Sequence, residues 1–271
     1  QDAIGADQNG NKVYLKDIAN EAGVSTTTVS FILNGKAREK RISPAVIEKV
    51  NKIVASRKFI PNTVARGLRT GKTTTLGVMV EDIGNHFFAN VAKTIELEAY
   101  KKGYKVIFTS TDNDDEKAKD LLTTLKNQQV DGLIITPTAE LKEAVIQLQK
   151  ERKPFVLFDR YFEDVKVNHV ILDNYTGSYN MTKHLVSKGY KKIAFVTIKS
   201  NMNQMADRQN AYKKALQDAG LAPDEKRILE LPFLPVIHED YDQLKNFIQA
   251  QPDLDAVFFG TNYIGVLGLE V

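Results

Sequence analysis

Residues 15–34 constrain this chain more than any other stretch: Leu-Lys-Asp-Ile-Ala-Asn-Glu-Ala-Gly-Val-Ser-Thr-Thr-Thr-Val-Ser-Phe-Ile-Leu-Asn. Ile18, Ala19 and Ala22 fall at helical spacing. Gly23 permits a tight turn, and Ser25 stands where an N-cap is wanted ahead of Val29, Ile32 and Leu33. Two short helices joined by a glycine-containing turn form the arrangement that seats its second helix in a DNA major groove. The stretch therefore predicts a helix-turn-helix and, with it, a double-stranded DNA partner.

Charge is distributed to match. Residues 1–75 hold 13 Lys and Arg against 6 Asp and Glu, a local +7, whereas the remainder holds 24 against 28, or −4. The whole-chain +3 thus conceals a basic head on a mildly acidic body. Phosphate neutralisation requires such local concentration rather than a high overall charge. A basic stretch alone is usually a solvated face; coupled to the turn motif it reads as one that meets phosphates.

A chain of 271 residues has room for one large domain or two to three smaller ones. No apolar run approaches the ~20 residues that span a bilayer, so no membrane partner is expected. Residues 1–11 are polar and lack the apolar core of a secretory signal; they read as a flexible leader or tag remnant without a role. With no Cys there is neither a disulfide framework nor a thiolate metal site. These features together predict a cytoplasmic protein.

Ser43-Pro44 offers an N-cap followed by Pro at the first helical position. Val46, Ile47, Val50, Ile53 and Val54 then make an apolar stripe that closes a three-helix core, so the DNA-binding domain is placed at 12–60. Pro61 interrupts, and 61–74 reads as a hinge with weak helical character, Gly67 and Gly71 lowering its propensity. So short a helix is marginal alone and is expected to order only against a partner.

From Thr75 the pattern changes. Short β-rich runs alternate with longer amphipathic ones: 76–80, then 87–102; 105–109, then 115–128; 133–136, then 139–151; 155–158 and 170–172. A second series runs 176–188, 193–197, 204–219, 228–231, 241–250 and 256–259. Such alternation predicts right-handed βαβ units and a parallel, doubly wound sheet. Gly103-Tyr104 and Gly189-Tyr190, each followed by Lys and a strand, hint at two related halves. A ligand in this architecture sits beyond the carboxyl ends of the strands or between two lobes.

Three pieces jointly resemble the lactose-repressor (LacI/GalR) family of bacterial transcription regulators. They are Asp17-Ile-Ala with Ala22-Gly-Val-Ser25 and Thr28-Val-Ser30; Pro61-Asn-Thr-Val-Ala-Arg66-Gly-Leu68; and Gly77-Val. The resemblance spans 13–271. It implies an N-terminal all-α helix-turn-helix head and an α/β body, 75–271, of two doubly wound lobes similar to periplasmic sugar-binding proteins. It also implies a homodimeric, ligand-controlled repressor of a palindromic operator, with no cofactor and no catalytic residues. Thr26 and Thr27 match positions that reach base edges. Phe31 matches a third reading position; it cannot donate to guanine but can touch a thymine methyl, or else it is buried against the hinge or third helix. Ser25, Ser30 and Asn34 match phosphate contacts, which fix register. Tyr14 stands where relatives place Thr as first-helix cap, so that bond is in doubt. Leu68, flanked by Arg66, matches a leucine that wedges into the minor groove; the alternative is an ordinary helix leucine.

For the effector the resemblance implies Phe87 and Phe88 as an aromatic wall, Asp159-Arg160 after the fourth strand, and Arg208. His86 replaces a common Pro and reads as a loop residue. Tyr263 follows Asn262 where sugar-binding relatives carry Asp. Losing that carboxylate while keeping Arg160 and Arg208, with Lys199 near, predicts an acidic effector such as a sugar acid or phosphosugar; the competing explanation is that Tyr263 stacks on a neutral sugar ring. The chain ends within a helix of the second lobe, whose sheet is therefore expected to be incomplete.

Two other classes fit the sequence less well. Gly71-Lys72-Thr73 resembles the end of a nucleotide loop, but Arg66 occupies the required glycine position and the segment precedes a strand. No zinc pattern, serine elbow or GxGxxG occurs, and Asp112, Asp114 and Asp115 read as a solvated helix start rather than a metal site. A transport-type sugar receptor would share the body but lack the head and carry an export signal.

Overall fold

A computed structural model of the chain describes residues 4–6, 12–59, 72–200, 202–232 and 237–271. Arg66 and Leu68 lie outside these residues. Internal contacts divide the chain into two compact units, Gln1–Thr75 with Asn127–Asp131 and Leu76–Lys126 with Gly132–Val271. No helix among the described residues is long and apolar enough to cross a membrane.

The first unit carries helices α1 (Leu15–Ala22), α2 (Thr26–Leu33) and α3 (Pro44–Ser56). Their apolar stripes meet in one core of Val13, Ile18, Ala19, Ala22, Val29, Ile32, Val50, Ile53 and Phe59. Each fully buried aliphatic side chain contributes about 1.5–3 kcal/mol, which compensates for helices too short to stand alone. Val46, Ile47 and Val54 of the predicted stripe pack half-buried on its rim. Gly23 ends α1 at φ 70°, and the amide of Val24 turns back onto the Ala19 carbonyl at 3.0 Å; a Cβ would be strained there. Ser25 caps α2, its Oγ accepting from the Thr28 amide at 3.1 Å. At the start of α1 the Tyr14 side chain makes no cap bond, and the Tyr14 amide donates to the Asp17 carboxylate at 2.8 Å. Ser43 precedes α3 without a side-chain cap bond, leaving Pro44 to set the helix start.

Within 1–11, read as a leader, one segment is in a strand. Ile4–Ala6 forms β1, paired antiparallel with β2 (Lys12–Tyr14), Gly5 opposite Val13. Burial of Val13 in the helical core fixes β2 and so presents its edge to a partner strand.

The second unit holds two sheets. In the first, strands run in the order β4 (Lys105–Ser110), β3 (Thr75–Val80), β5 (Gly132–Ile135), β6 (Phe155–Phe158), β7 (His169–Val170). β3, β5, β6 and β7 are parallel, with Val78 beside Ile134 and Ile134 beside Val156. Helices α4 (His86–Lys101), α5 (Asp115–Asn127) and α6 (Lys142–Lys150) provide the crossovers. Gly77 is glycine for space, since a Cβ would lie 2.9 Å from a Leu133 methyl and 3.0 Å from one of Leu125. At the start of α5, Asp114 Oδ1 accepts from the Lys117 amide at 2.8 Å, and Asp115 Oδ1 accepts from the distant Glu140 amide at 3.0 Å.

The second sheet, in the order β10 (Ala256–Phe259), β8 (Ile193–Ile198), β9 (Ile228–Leu231), is parallel and has three strands among the described residues. All six residues of β8 are buried, as expected of a central parallel strand. Its helices are α7 (Asn174–Ser187), α8 (Asn203–Asp218), α9 (Ile237–Gln249) and α10 (Asn262–Glu270). The Phe195 and Tyr212 rings stack at 5.0 Å, and Tyr212 donates to the Ile193 carbonyl at 2.7 Å. The two Gly-Tyr pairs do not mark a simple repeat. Gly103 and Gly189 both end helices at positive φ, 77° and 96°, but one leads to edge strand β4 and the other to central strand β8. Their similarity is that of a helix C-terminus.

Candidate nucleic-acid interface and ligand cleft

On α2 the predicted reading residues divide by exposure. Thr27 is exposed, while Thr26 and Phe31 are half-buried. Thr27 and Phe31, four apart, share a face, and Thr26 lies next to it above Ser30. Lys40 Nζ sits 5.5 Å from the centre of the Phe31 ring, a cation–π distance. Phe31 is therefore neither sunk in the core nor bare. Of the predicted phosphate contacts, Ser25 Oγ also lies 2.9 Å from Thr28 Oγ1, and Asn34 Nδ2 donates to the Ser30 carbonyl at 2.7 Å. Both side chains thus brace the two ends of α2.

In the second unit a cleft of about 530 Å³ brings Phe87, Phe88, Asp159, Arg160, Arg208 and Tyr263 together. Every strand that feeds it does so from its carboxyl end: Glu81 follows β3, Asp159 and Arg160 follow β6, Ile198 ends β8, and Gly260–Tyr263 follow β10. In each sheet the chain reverses direction across the first strand of that sheet, the place where open parallel sheets leave a crevice. Asn85 caps α4, accepting from the Phe87 amide at 3.0 Å, and so sets both Phe rings on one wall. Phe87 and Phe88 meet edge to face at 5.0 Å, and Phe158 lies stacked behind Phe87.

Asp159 occupies a strained turn, with φ 66° and the Arg160 amide reaching back to the Phe158 carbonyl at 2.7 Å. A non-glycine residue held this way requires enforcement by its surroundings. Burial pushes its carboxyl upward, and the nearby Arg208 guanidinium offsets part of the rise. Burial draws the Arg160 guanidinium down to about 10, and it stays charged at neutral pH. Arg208 is lowered for the same reason, and burial raises the Tyr263 phenol.

One of the two arginines behind the acidic-effector reading has a counter-charge inside the cleft. Arg160 is not uncompensated: its Nη2 is ion-paired to Glu81, and its Nη1 donates to Asn113 Oδ1 at 2.6 Å. Arg208 places Nε and Nη2 on Asn174 Oδ1 at 2.9 and 2.8 Å and Nη1 on the Gly260 carbonyl at 2.6 Å. Lys199 is exposed and is not part of the cleft wall. The sequence reading missed Glu81, Asn113, Asn174 and Gln204. Glu81 had a signal, an acidic residue directly after an apolar strand; the other three act from loops or helices with nothing periodic to mark them.

Comparison with known proteins matches both parts of the chain. Residues 73–269 fit a family profile described as periplasmic binding proteins and sugar binding domain of the LacI family. Residues 14–62 fit the profile of bacterial regulatory proteins, lacI family. The HTH-type transcriptional regulator RegA of Clostridium saccharobutylicum is 35% identical over 86% of this chain and 69% of its own length. Catabolite control protein A of Priestia megaterium is 32% identical over 92% of this chain and 74% of its own. Among solved structures, the lac repressor dimer bound to operator and an anti-inducer shares the fold at TM-score 0.81 and 22% identity, covering 95% of this chain and 76% of that one.

Proposed function

This chain belongs to the LacI family of bacterial regulatory proteins, and we propose that it is a sequence-specific repressor whose hold on a palindromic operator is set by a small molecule in the cleft. The family is one of transcription regulators rather than enzymes. The observation that carries the reading is the presence, in one chain, of a capped helix-turn-helix and a cleft lined by buried polar groups at the strand ends. On this reading Thr26, Thr27 and Phe31 meet base edges, Ser25, Ser30 and Asn34 meet phosphates, and Leu68 with Arg66 enters the minor groove. Residues 12–60 form the DNA-binding domain, 61–74 the hinge, and 75–271 bind effector and dimerise. Leu97 and Tyr100, exposed on α4, offer apolar surface to a second copy. The effector is a sugar, with a sugar acid or phosphosugar as the competing class.

A ligand can shift the DNA-bound population only by its differential affinity for the two states. Gel shifts on palindromic and random duplexes, at rising salt and with a panel of sugars and their acids, test the proposal. Preference for one palindrome, steep loss of affinity with salt, and a change in binding with one metabolite are expected. Equal affinity for palindromic and random duplexes would overturn it.

A further inference from the structure

We propose that Glu81 is a specificity-determining residue of the cleft, its carboxylate neutralising Arg160 so that the site admits an uncharged polyhydroxy ligand and refuses an anion. The inference rests on the reading of this cleft as the effector site.

Glu81 and Arg160 are buried, with 8% and 3% of their surface exposed, and are ion-paired on the cleft wall. A buried guanidinium without a counter-charge is costly and would demand an anion from its ligand. Glu81 supplies that charge from within the protein. The forked geometry that clamps a carboxylate or phosphate with two parallel bonds is also spent. Arg160 uses its two terminal nitrogens on Glu81 and Asn113, and Arg208 uses its Nε/Nη2 edge on Asn174.

What is left in the cleft is mixed in kind. Arg160 Nε, a donor, and Gln204 Oε1, an acceptor, are buried without a hydrogen-bond partner among the described residues. Gln204 is 2% exposed. A charged carboxylate oxygen only accepts, whereas a hydroxyl both donates and accepts and so satisfies either atom. Asp159 Oδ2 lies 3.6 Å from Arg160 Nε, so the wall sets two carboxyl groups against its two guanidiniums. Phe87, Leu172 and Ile198 supply apolar surface for the C–H face of a sugar ring.

The test compares the full chain as wild type, Glu81→Gln, and the double variant Glu81→Gln/Arg160→Gln. Inorganic phosphate, gluconate and glucose serve as probes, read by calorimetric titration and by the thermal midpoint. Removing one buried opposing charge should raise phosphate affinity at least ~tenfold in Glu81→Gln, with a midpoint that climbs as phosphate is added. The wild type and the double variant should show neither effect. If Glu81→Gln folds poorly, phosphate should restore its cooperative melt. Absence of both the gain and the rescue overturns the proposal, as does wild type binding gluconate or phosphate in preference to glucose. Gel shifts on the same proteins keep the two readings apart. A phosphate gain with no ligand effect on DNA leaves Glu81 its role and removes the regulatory reading. Ligand-controlled DNA binding without the phosphate gain removes the role of Glu81 alone.

Discussion

Asn262 and Asn85 join the two lobes of the second unit: Nδ2 of Asn262 donates to Oδ1 of Asn85 at 3.1 Å. The same Asn85 oxygen accepts from the Phe87 amide and so caps α4. One atom therefore serves a helix in one lobe and a contact with the other. Replacing Asn262 with Ala removes only the bridge, an exposed hydrogen bond that nets about 0.5–1.5 kcal/mol. Replacing Asn85 removes the cap as well, which adds about 1 kcal/mol. Urea unfolding of both single variants and the pair should place Asn85→Ala as the costlier, with the double no worse than Asn85→Ala alone. Additive losses would mean that Asn262 contributes through something other than its bond to Asn85.

On α2, stability and DNA reading should separate. Ser25→Ala deletes a cap that accepts from the Thr28 amide, and its loss should lower head stability by about 1 kcal/mol. Thr27 is exposed and has its side chain on the outer face of the same helix. Thr27→Ala should leave the melt unchanged and reduce discrimination between operator and random duplex by about 1–3 kcal/mol if it reads a base. Thermal melts paired with competition gel shifts read both quantities. A Thr27→Ala protein with undiminished discrimination would remove that residue from the reading set.

Much of this was legible because burial leaves a periodic trace. The spacing of Ile18, Ala19 and Ala22 with Val29 and Ile32 gave the two short helices, and Phe155–Phe158, Ile228–Leu231 and Ala256–Phe259 are strands with the bounds their apolar runs suggested. The gathering of Phe87, Asp159, Arg160, Arg208 and Tyr263 in one cleft follows from their places after strands or in the first two turns of helices. Their partners were not legible. Glu81 meets Arg160 from 79 positions away and Asn174 meets Arg208 from 34. Pairing across such separations depends on sheet order and leaves no local pattern. Counting the arginines without their partners overlooked the carboxylate of Glu81 that offsets Arg160.

Arg208 reads, in the folded protein, as a brace as well as a cleft residue. Its guanidinium ties Asn174 at the start of α7 to the Gly260 carbonyl after β10. Lys carries its donors on one nitrogen and cannot span both acceptors. Arg208→Lys should therefore lose on the order of 2 kcal/mol in urea unfolding, within the range for hydrogen bonds from a charged group. Any loss of ligand binding would then accompany a loss of stability. A variant as stable as wild type but blind to ligand would instead make Arg208 purely a ligand contact.

Asp159 should leave a signature in the pH dependence of stability. Burial raises its carboxyl above the ordinary carboxylate value, so in the window between the two the native protein binds more protons than the unfolded chain. Stability contributed by this group is then greatest below the ordinary value and declines as pH rises through the raised one. Asp159→Asn cannot ionise and removes that decline. Subtracting its thermal midpoints from those of wild type across an acid-to-neutral series cancels other titrating groups such as Asp207, whose carboxyl burial also raises. The difference should favour the Asn variant progressively as pH increases, then level off once Asp159 is fully ionised. A flat difference would mean that Arg208 offsets burial in full, and one that favours wild type with rising pH would reverse the order of the two effects.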